Sequence, residues 1–210
     1  MSKQHPVIAV TGSSGAGTTT VKRALEHIFY RDGFNAAVIE GDSFHRYDRA
    51  EMKSAMAKAA EEHRNLSHFG AEANRFDMLE ELFKNYSETG SGKKRYYIHS
   101  EEEAAELNAR LGTNLDPGQF TPWEEIPEGT DLLFYEGLHG LVVTEEHNVA
   151  EHVDLGVGVV PIVNLEWIQK IHRDNLERGY SAEAIVDTIM RRTPDSITTI
   201  VPQFSLTDIT

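Results

Sequence analysis

Cysteine is absent from this chain of 210 residues. Its absence excludes disulfides, a thiol nucleophile, zinc-thiolate sites and any thiol redox switch within the chain. The sequence also lacks an apolar run of about 18 residues, as a membrane-spanning helix would need, and residues 1–6 show no signal-peptide pattern. We therefore expect a cytoplasmic globular protein in which residues 1–210 form a single domain around one core.

Positive charge is also scarce. The chain holds 20 Lys and Arg against 34 Asp and Glu, which gives a formal net charge of -14. Because a polyanion would be repelled by this excess of negative charge, nucleic acid and anionic membranes are disfavoured as partners. Any phosphate that the protein binds must therefore be met by a local group of positive charges.

Short apolar runs alternate with helical spacing along the chain. Strand-like runs cover residues 6–11, 36–40, 130–135 and 155–163, and helical patterns follow residue 17 and cover 48–64, 165–178 and 181–192. This alternation predicts an α/β fold, with a mostly parallel sheet covered by helices on both faces. Residues 65–127 read as a polar, irregular insertion with a helix near 75–86, and residues 199–204 read as a last strand-like stretch.

A glycine-rich loop lies between the first strand and the first helix. Its sequence fits the phosphate-loop pattern G-x-x-x-x-G-K-[ST], except that Thr18 stands in place of the lysine. Glycines let the backbone wrap a triphosphate, and the hydroxyl of Thr19 can ligate magnesium; the alternative is a simple turn. The predicted nucleotide-binding residues are Gly12, Ser13, Ser14, Gly15, Ala16, Gly17, Thr18, Thr19 and Thr20.

Two carboxylates follow buried strands. Asp42 is the candidate to orient or accept the proton of an attacking substrate hydroxyl, and its alternative is a turn-forming or capping aspartate. Glu136 has the place of the acidic residue that holds magnesium in phosphate-loop enzymes, and its alternative is an ordinary strand-end carboxylate. Because strand carboxyl ends share one sheet edge, we expect Asp42 and Glu136 to lie near the glycine-rich loop.

Basic side chains occur in two places. Arg49 and His45 follow Asp42, and an arginine in the first turn of a helix favours an anionic ligand. Lys170 and Arg173 share a helix face and could supply the positive charge that Thr18 lacks, with salt bridges to neighbouring acidic residues as an equally good explanation. His139 is interpreted as a surface or packing histidine outside the site.

With these residues in place, the chain resembles the bacterial type of phosphoribulokinase, in the phosphoribulokinase/uridine kinase family of P-loop kinases. The resemblance covers nearly the whole chain and is carried by V-I-A-V-T-G-S-S-G-A-G-T-T-T, V-I-E-G-D-S-F-H-R, L-L-F-Y-E-G-L-H-G, V-N-L-E-W-I-Q-K-I-H-R-D and I-V-P-Q-F-S. It implies a three-layer P-loop kinase fold. The family also replaces the loop lysine, as Thr18 does here.

The resemblance implies roles for particular residues. Asp42 would be the catalytic base and Glu136, with Thr19, the magnesium site. The substrate phosphate would be bound by His45 and Arg49, and the basic residues of the lid would be Lys170, Arg173 and Arg178. The catalytic set would then be Asp42, Lys170 and Arg173, and the substrate-binding set His45, Arg49 and Arg178.

The implied reaction is phosphorylation of ribulose 5-phosphate at its C1 hydroxyl by magnesium-bound ATP, a step of the Calvin cycle. The family further implies a homo-oligomer that responds to NADH and AMP. Its members continue for several strands and a helix past the residues matched here, so we expect this chain to be truncated at its C-terminal end.

Two alternatives stay open from the sequence. One is a related kinase for uridine or pantothenate, which would share the loop and the sheet; the pair of His45 and Arg49 favours a phosphorylated substrate instead. The other is an inactive or weakly active paralogue that binds nucleotide or phosphosugar without turnover.

Overall fold

The computed structural model describes residues 4–210, except for the side chains of residues 177 and 178. Its strands are β1 (Val7–Gly12), β2 (Ala36–Glu40), β3 (Lys93–Lys94), β4 (Glu124–Glu125), β5 (Leu132–Gly137) and β6 (Leu155–Val159). Its helices are α1 (Thr18–Asp32), α2 (Arg49–Glu61), α3 (Phe76–Thr89), α4 (Glu101–Leu111), α5 (Val163–Arg178) and α6 (Ala182–Asp195).

The main sheet is parallel and has the strand order β2-β5-β1-β6. Its β-branched and aromatic residues alternate between two apolar layers. On one face, Val7 and Ala9 pack in a cluster with α3, and on the other face Val10 packs in a cluster with α1. The predicted α/β fold with helices on both faces of a parallel sheet is therefore confirmed.

Local sequence signals account for several helix ends. Asp48 and Glu51 form a reciprocal capping box at the start of α2, as their spacing predicts. Helix α1 ends at Gly33, which has a left-handed φ of 79° and lets its N–H bond back to the last turn. Ser100 caps α4 through a hydrogen bond from the N–H of Glu103.

Three sequence expectations about segments are corrected. Residues 65–127 hold the helix predicted near 75–86, as α3, but because α3 buries Leu79, Phe83 and Tyr86 in the core, this stretch is not an irregular insertion. The last parallel strand ends at Val159, four residues earlier than expected, and α5 begins soon after Pro161. Residues 199–204 are helical, since a π-helical turn and a 3-10 helix continue directly from α6.

The strand register brings the candidate residues to one edge. Glu40 at the end of β2 pairs with Glu136 on β5, and Val10 on β1 pairs with Glu136 from the other side. A 3-10 turn after β2, Gly41–Phe44, carries Asp42. A Cβ atom on Gly137 would lie only 2.7 Å from Cα of Gly41, so these two strand ends approach as closely as glycine allows.

Among the described residues, no helix is both long and apolar enough to cross a membrane.

Candidate active site

The glycine-rich loop joins β1 to α1 with two left-handed residues. Gly15 has a φ of 104° and Gly17 a φ of 100°, values that side chains other than glycine rarely adopt. Gly17 is the N-cap of α1, and no described side chain caps that helix end. The free N–H groups of the first turn and the helix dipole therefore suit a phosphate, and the loop fits the triphosphate of a nucleotide.

Thr18, which replaces the loop lysine, hydrogen-bonds to the carboxylate of Glu136. One turn later, Nζ of Lys22 lies 2.5 Å from Oε1 of Glu40. Burial raises the pKa of Glu136, and the Thr18 hydrogen bond and the Lys22 charge only partly offset it. Burial also lowers the pKa of Lys22, but the attraction of Glu40 outweighs it, so the pKa of Lys22 is raised.

The residues at the expected magnesium position supply only part of a ligand set. Glu136 supplies a carboxylate and Thr19 an exposed hydroxyl at the start of α1. The described residues contain no group of three or more His, Cys, Asp or Glu arranged as a complete metal site. Mg²⁺ commonly binds through one or two carboxylates together with waters and substrate phosphates. Because burial raises the pKa of Glu136, a cation beside the carboxylate would stabilise its charged form, and the residues fit the metal.

Asp42 is the centre of a second cluster of side chains at this edge of the sheet. Nε2 of His45 lies 3.2 Å from one carboxylate oxygen of Asp42, and Nε2 of His99 lies 3.6 Å from the other. Burial opposes ionisation of Asp42, but the hydrogen bond and charge of His45 and the charge of His99 outweigh it. The pKa of Asp42 therefore lies well below its ordinary value.

His45 is held from several sides. Its Nδ1 lies 2.8 Å from Oδ1 of Asn74, and its ring stacks on that of His68 with centroids 4.2 Å apart. Arg95 donates hydrogen bonds to the backbone carbonyls of Ser43 and His45, at 2.7 and 2.8 Å. Burial lowers the pKa of Arg95 to about 10, which leaves it charged at neutral pH. These contacts fix the turn that carries Asp42.

His139 is a packing histidine. It is almost fully buried, its Nε2 lies 3.0 Å from the carbonyl oxygen of Phe69, and its ring packs on Phe76. Burial lowers its pKa to about 4, so it is neutral under ordinary conditions.

Arg49 begins α2 with an exposed side chain. Its guanidinium has two long contacts, to the carbonyl oxygens of Pro117 at 3.4 Å and of His99 at 3.5 Å. Gly118 has a φ of 100° and packs directly on the Arg49 side chain. Since these contacts leave most of the five guanidinium N–H groups of Arg49 without a partner among the described residues, Arg49 can bind an anion.

Helix α5 packs directly on the glycine-rich loop. A Cβ atom on Gly15 would lie 3.0 Å from the carbonyl oxygen of Glu166 and 3.1 Å from Cβ of Lys170. Arg173 donates a hydrogen bond to the hydroxyl of Ser14 at 3.1 Å. The basic face of α5 therefore lies over the loop.

Lys170 and Arg173 both pair with Asp174, at 2.6 and 3.0 Å. The sequence offered phosphate neutralisation and salt bridging as alternatives for these residues, and the geometry contains both a salt bridge and a contact with the loop. Burial lowers the pKa of Lys170, with repulsion from Arg192 adding to the effect and Asp174 opposing it. The predicted lid residue Arg178 lies outside the described side chains.

Sequence reasoning missed four residues at this site. They are Lys22, Asn74, Arg95 and His99. Lys22 had a signal, because it lies one helical turn after Thr18 on the same face of α1. The other three had none, since they come from the segment that reads as irregular and reach Asp42 only through the tertiary fold.

Comparison with known proteins identifies the family. A family model described as "Phosphoribulokinase / Uridine kinase family" matches residues 7–210. The chain belongs to this family. The protein described as "Phosphoribulokinase, plasmid" from Cupriavidus necator is 59% identical over 210 residues, which cover 100% of this chain and 70% of that relative. The phosphoribulokinase of Nitrobacter vulgaris is 55% identical, with the same coverage.

Solved structures agree with this assignment. The phosphoribulokinase from Rhodobacter spheroides superposes with a TM-score of 0.83 at 48% identity, covering 99% of this chain and 69% of that chain. A D-glycerate 3-kinase from Cryptococcus neoformans has a TM-score of 0.60 at 11% identity, which shows a shared fold alone. The resemblance to the phosphoribulokinase family and the P-loop kinase fold are therefore confirmed.

Proposed function

We propose that this chain transfers the γ-phosphoryl group of ATP to the C1 hydroxyl of ribulose 5-phosphate, giving ribulose 1,5-bisphosphate and ADP, as a step of carbon fixation in the Calvin cycle. One observation carries the proposal. An ionised Asp42, flanked by His45 and His99, lies at the same sheet edge as the glycine-rich loop and Glu136. High identity to phosphoribulokinases over the whole chain supports the choice of substrate.

Asp42 acts on the attacking hydroxyl. Its carboxylate accepts a hydrogen bond from the C1 hydroxyl and takes the proton as the oxygen forms its bond to the γ-phosphorus, while the bond from that phosphorus to the β-phosphate oxygen breaks. Because the pKa of Asp42 is lowered, it is ionised and ready to accept this hydrogen bond throughout the neutral range. Magnesium bound with ATP adds positive charge against the phosphate oxygens.

Positive groups of the chain stabilise the transferred phosphoryl group. The N-terminus of α1 lies on one side of it, and Arg173 and Lys170 on α5 approach from the other. Thr18 leaves the usual lysine position without charge, so α5 takes over this role. Little covalent chemistry is asked of the protein, and positioning with charge stabilisation supplies the rate.

The sugar-phosphate end of the site distinguishes the proposal from a uridine kinase. His45 lies beside Asp42, and Arg49 contacts the backbone of His99, the other histidine that faces Asp42, with most of its donors free. A phosphate bound there would pair with the guanidinium of Arg49, whereas a neutral nucleoside would leave that charge unpaired. Arg178 is proposed as a further ligand of the substrate.

Localisation, assembly and domain organisation are proposals of the same kind. We place the protein in the cytoplasm as a homo-oligomer, with residues 1–210 forming one kinase domain. Light scattering after size exclusion tests the assembly, and a single molar mass equal to that of the chain would contradict it.

The test of function is a coupled assay of ADP release with magnesium-ATP. Asp42→Asn keeps the size of the side chain and removes its charge, so we expect a loss in kcat of about 10³-fold because a general base is removed. Asp32→Asn is the control, since Asp32 is exposed at the far end of α1, where it pairs with Arg31. Turnover of uridine but not ribulose 5-phosphate, or nucleotide binding without turnover, would contradict the proposal.

A further inference from the structure

We propose that His68 is a further substrate-binding residue, whose imidazole ring forms a hydrogen bond with a hydroxyl group on the carbon chain of the sugar phosphate. The inference deepens the proposed kinase function and rests on it. It assigns a contact to the part of the substrate between the C1 hydroxyl, which faces Asp42, and the phosphate, which faces Arg49.

His68 lies beside the candidate base. It belongs to the loop between α2 and α3, and its ring stacks on that of His45, with centroids 4.2 Å apart and planes tilted by 31°. Nε2 of His45 in turn lies 3.2 Å from a carboxylate oxygen of Asp42. The charges of Asp42 and of Arg192 on α6 both act on the His68 ring. His68 is therefore one stacked ring away from the base.

Neighbouring residues hold the backbone on both sides of His68. The amide of Asn74 donates hydrogen bonds to the carbonyl oxygens of His68 and Gly70, at 2.9 and 2.7 Å. The hydroxyl of Ser67 donates a hydrogen bond to the carboxylate of Asp195 at 2.5 Å. Because these bonds fix the loop, the ring of His68 is positioned without a hydrogen bond of its own.

The ring of His68 has an unused nitrogen. Its Nδ1 is buried and has no hydrogen-bond partner among the described residues. The two histidines that are almost fully buried nearby are both bonded, since Nδ1 of His45 faces Asn74 and Nε2 of His139 faces the carbonyl oxygen of Phe69. A buried polar atom without a partner destabilises a folded protein, so its presence at one histidine of this cluster calls for a reason.

Position supplies that reason. Within the described part of the chain, buried side-chain nitrogen or oxygen atoms without a partner occur at three residues, which are His5, Ser43 and His68. Ser43 follows Asp42 directly and His68 stacks on His45, so two of the three lie around the base. His5 precedes β1, at the opposite edge of the sheet. Unpaired polar atoms are thus concentrated where a ligand rich in hydroxyl groups would bind.

The chemistry of this ring suits a hydroxyl better than a phosphate. Burial lowers the pKa of His68 to about 3, with the charges of His45 and Arg192 adding to the effect and Asp42 opposing it, so the ring is uncharged at neutral pH. An uncharged imidazole has one donor and one acceptor nitrogen, and a hydroxyl group can likewise donate and accept. A phosphate dianion only accepts, and a cation such as Arg49 binds it better.

The kinetic experiment is His68→Phe, which keeps a flat ring on His45 and removes both nitrogens. We expect KM for ribulose 5-phosphate to rise by about tenfold through the loss of one hydrogen bond, with KM for ATP unchanged. Tm should stay the same or rise, because the unpaired buried nitrogen is gone. An unchanged KM for ribulose 5-phosphate, or equal rises in KM for both substrates, would overturn the assignment.

Deoxy analogues of the substrate identify the hydroxyl. The forms of ribulose 5-phosphate that lack the C3 or the C4 hydroxyl are compared in the parent chain and in His68→Phe. Removal of the bonded hydroxyl should raise KM less in the variant, which has already lost this hydrogen bond, than in the parent chain. If both analogues raise KM equally in the two chains, His68 does not contact a hydroxyl and the proposal is wrong.

The direct experiment is ¹⁵N NMR of the histidine rings in the whole chain with magnesium-ADP. The signals of His68 are those that vanish in His68→Gln. Ribulose 5-phosphate should shift these signals, and inorganic phosphate at the same concentration should not. The absence of a shift with the sugar phosphate, or the same shift with phosphate alone, would contradict the proposal. Because this readout needs no turnover, it separates a failure of this inference from a failure of the proposed function, and it decides if His68→Phe fails to fold.

His5→Phe is the matched control. Nδ1 of His5 is also buried without a partner among the described residues, and its ring contacts that of Tyr86 with centroids 6.0 Å apart. Since His5 lies far from Asp42, at the other edge of the sheet, KM for both substrates should stay unchanged. If His5→Phe raised KM for ribulose 5-phosphate as much as His68→Phe does, loss of a buried nitrogen anywhere in the fold would explain the effect, and His68 would not be a substrate ligand.

Discussion

The two halves of the site are built in different ways. The nucleotide side is built around residues 12–20 and Glu136, which come from one continuous segment of loop and helix start and from the end of one strand. The sugar side surrounds Asp42 with groups from segments that are distant in sequence, among them Asn74, Arg95 and His99. A continuous loop depends on local backbone geometry, whereas the sugar side depends on the packing of distant segments, so the two sides should respond differently to mutation.

The contrast extends to charge. On the nucleotide side, the cations come from a helix that packs over the loop, and two of them share Asp174. On the sugar side, His45 is buried and tied to Asp42, whereas Arg49 projects into solvent. Salt bridges that can rearrange when a ligand arrives are suited to a moving element, and a buried cluster joined by hydrogen bonds is suited to a fixed one.

Among the variants that test this comparison, the largest effect is expected at Arg173. Arg173→Gln keeps a donor for Ser14 but removes the charge that α5 presents to the loop. We expect kcat to fall by about 10²-fold to 10³-fold, as for the loss of one group that stabilises the transition state, with little change in KM for the sugar phosphate. Steady-state kinetics with both substrates varied measures this effect.

Arg110→Gln is the control for Arg173. Arg110 is an exposed arginine that pairs with Glu124, and its loss should leave kcat unchanged. If Arg173→Gln instead raised KM for ribulose 5-phosphate and left kcat unchanged, Arg173 would belong to the sugar side, and the comparison would be wrong.

A smaller effect is expected at Gly15. Gly15→Ala adds the strain of a left-handed φ and pushes against Glu166 and Lys170 on α5. If a strain of about 1–2 kcal/mol opposes the packing of α5 on the loop, kcat/KM for ATP falls by about tenfold. Equilibrium binding of magnesium-ATP measures the loss in affinity, and steady-state kinetics measures the loss in kcat/KM.

Gly33→Ala is a matched control for Gly15→Ala. Gly33 also has a left-handed φ, 79°, but a Cβ there meets no atom within 4 Å. It should lower Tm without changing kcat/KM. Equal kinetic losses in the two variants would mean that backbone strain, and not the contact with α5, is responsible.

The smallest effect is a shift in pH dependence at Lys22. Burial raises the pKa of Glu136, and Lys22 is one of the groups that oppose this rise. Magnesium needs the ionised carboxylate, so kcat/KM for ATP should fall as pH drops through the pKa of Glu136. In Lys22→Met this pKa rises further, and the acidic limb of the profile should move to higher pH.

Lys58→Met, on an exposed position of α2, is the control for Lys22. Asp42 should not contribute to this limb, because its pKa is shifted in the opposite direction. An acidic limb that stays in place in Lys22→Met, or moves to lower pH, would remove Lys22 from the magnesium side of the site.

The sequence predicted the nucleotide side well because its signals are local. The glycine-rich loop, the strand before it and the capping box at Asp48 and Glu51 are set by neighbours along the chain, and the structure has each of them where the pattern indicated. Asp42, Glu136 and the loop fall at one sheet edge, as parallel strands require. The catalytic roles of these residues stay predictions.

The sugar side was predicted only in part. His45 and Arg49 follow Asp42 in sequence, and proximity along the chain was enough to suggest them. Asn74, Arg95 and His99 lie in the segment taken for an irregular insertion, whose helix α3 is in fact part of the core. The prediction of a strand-like stretch at residues 199–204 was wrong, because these apolar, β-branched residues continue a helix instead of forming a strand.

By itself, the sequence determined the class of fold, the family, the phosphate loop and the two carboxylates at strand ends. These follow from periodicity and short motifs, which act over a few residues. Only the tertiary structure decided which side chains hold His45, that Thr18 bonds to Glu136, and that α5 lies on Gly15. The physical reason is that hydrogen bonds and charge pairs between distant segments depend on where packing places them, and no local pattern records that placement.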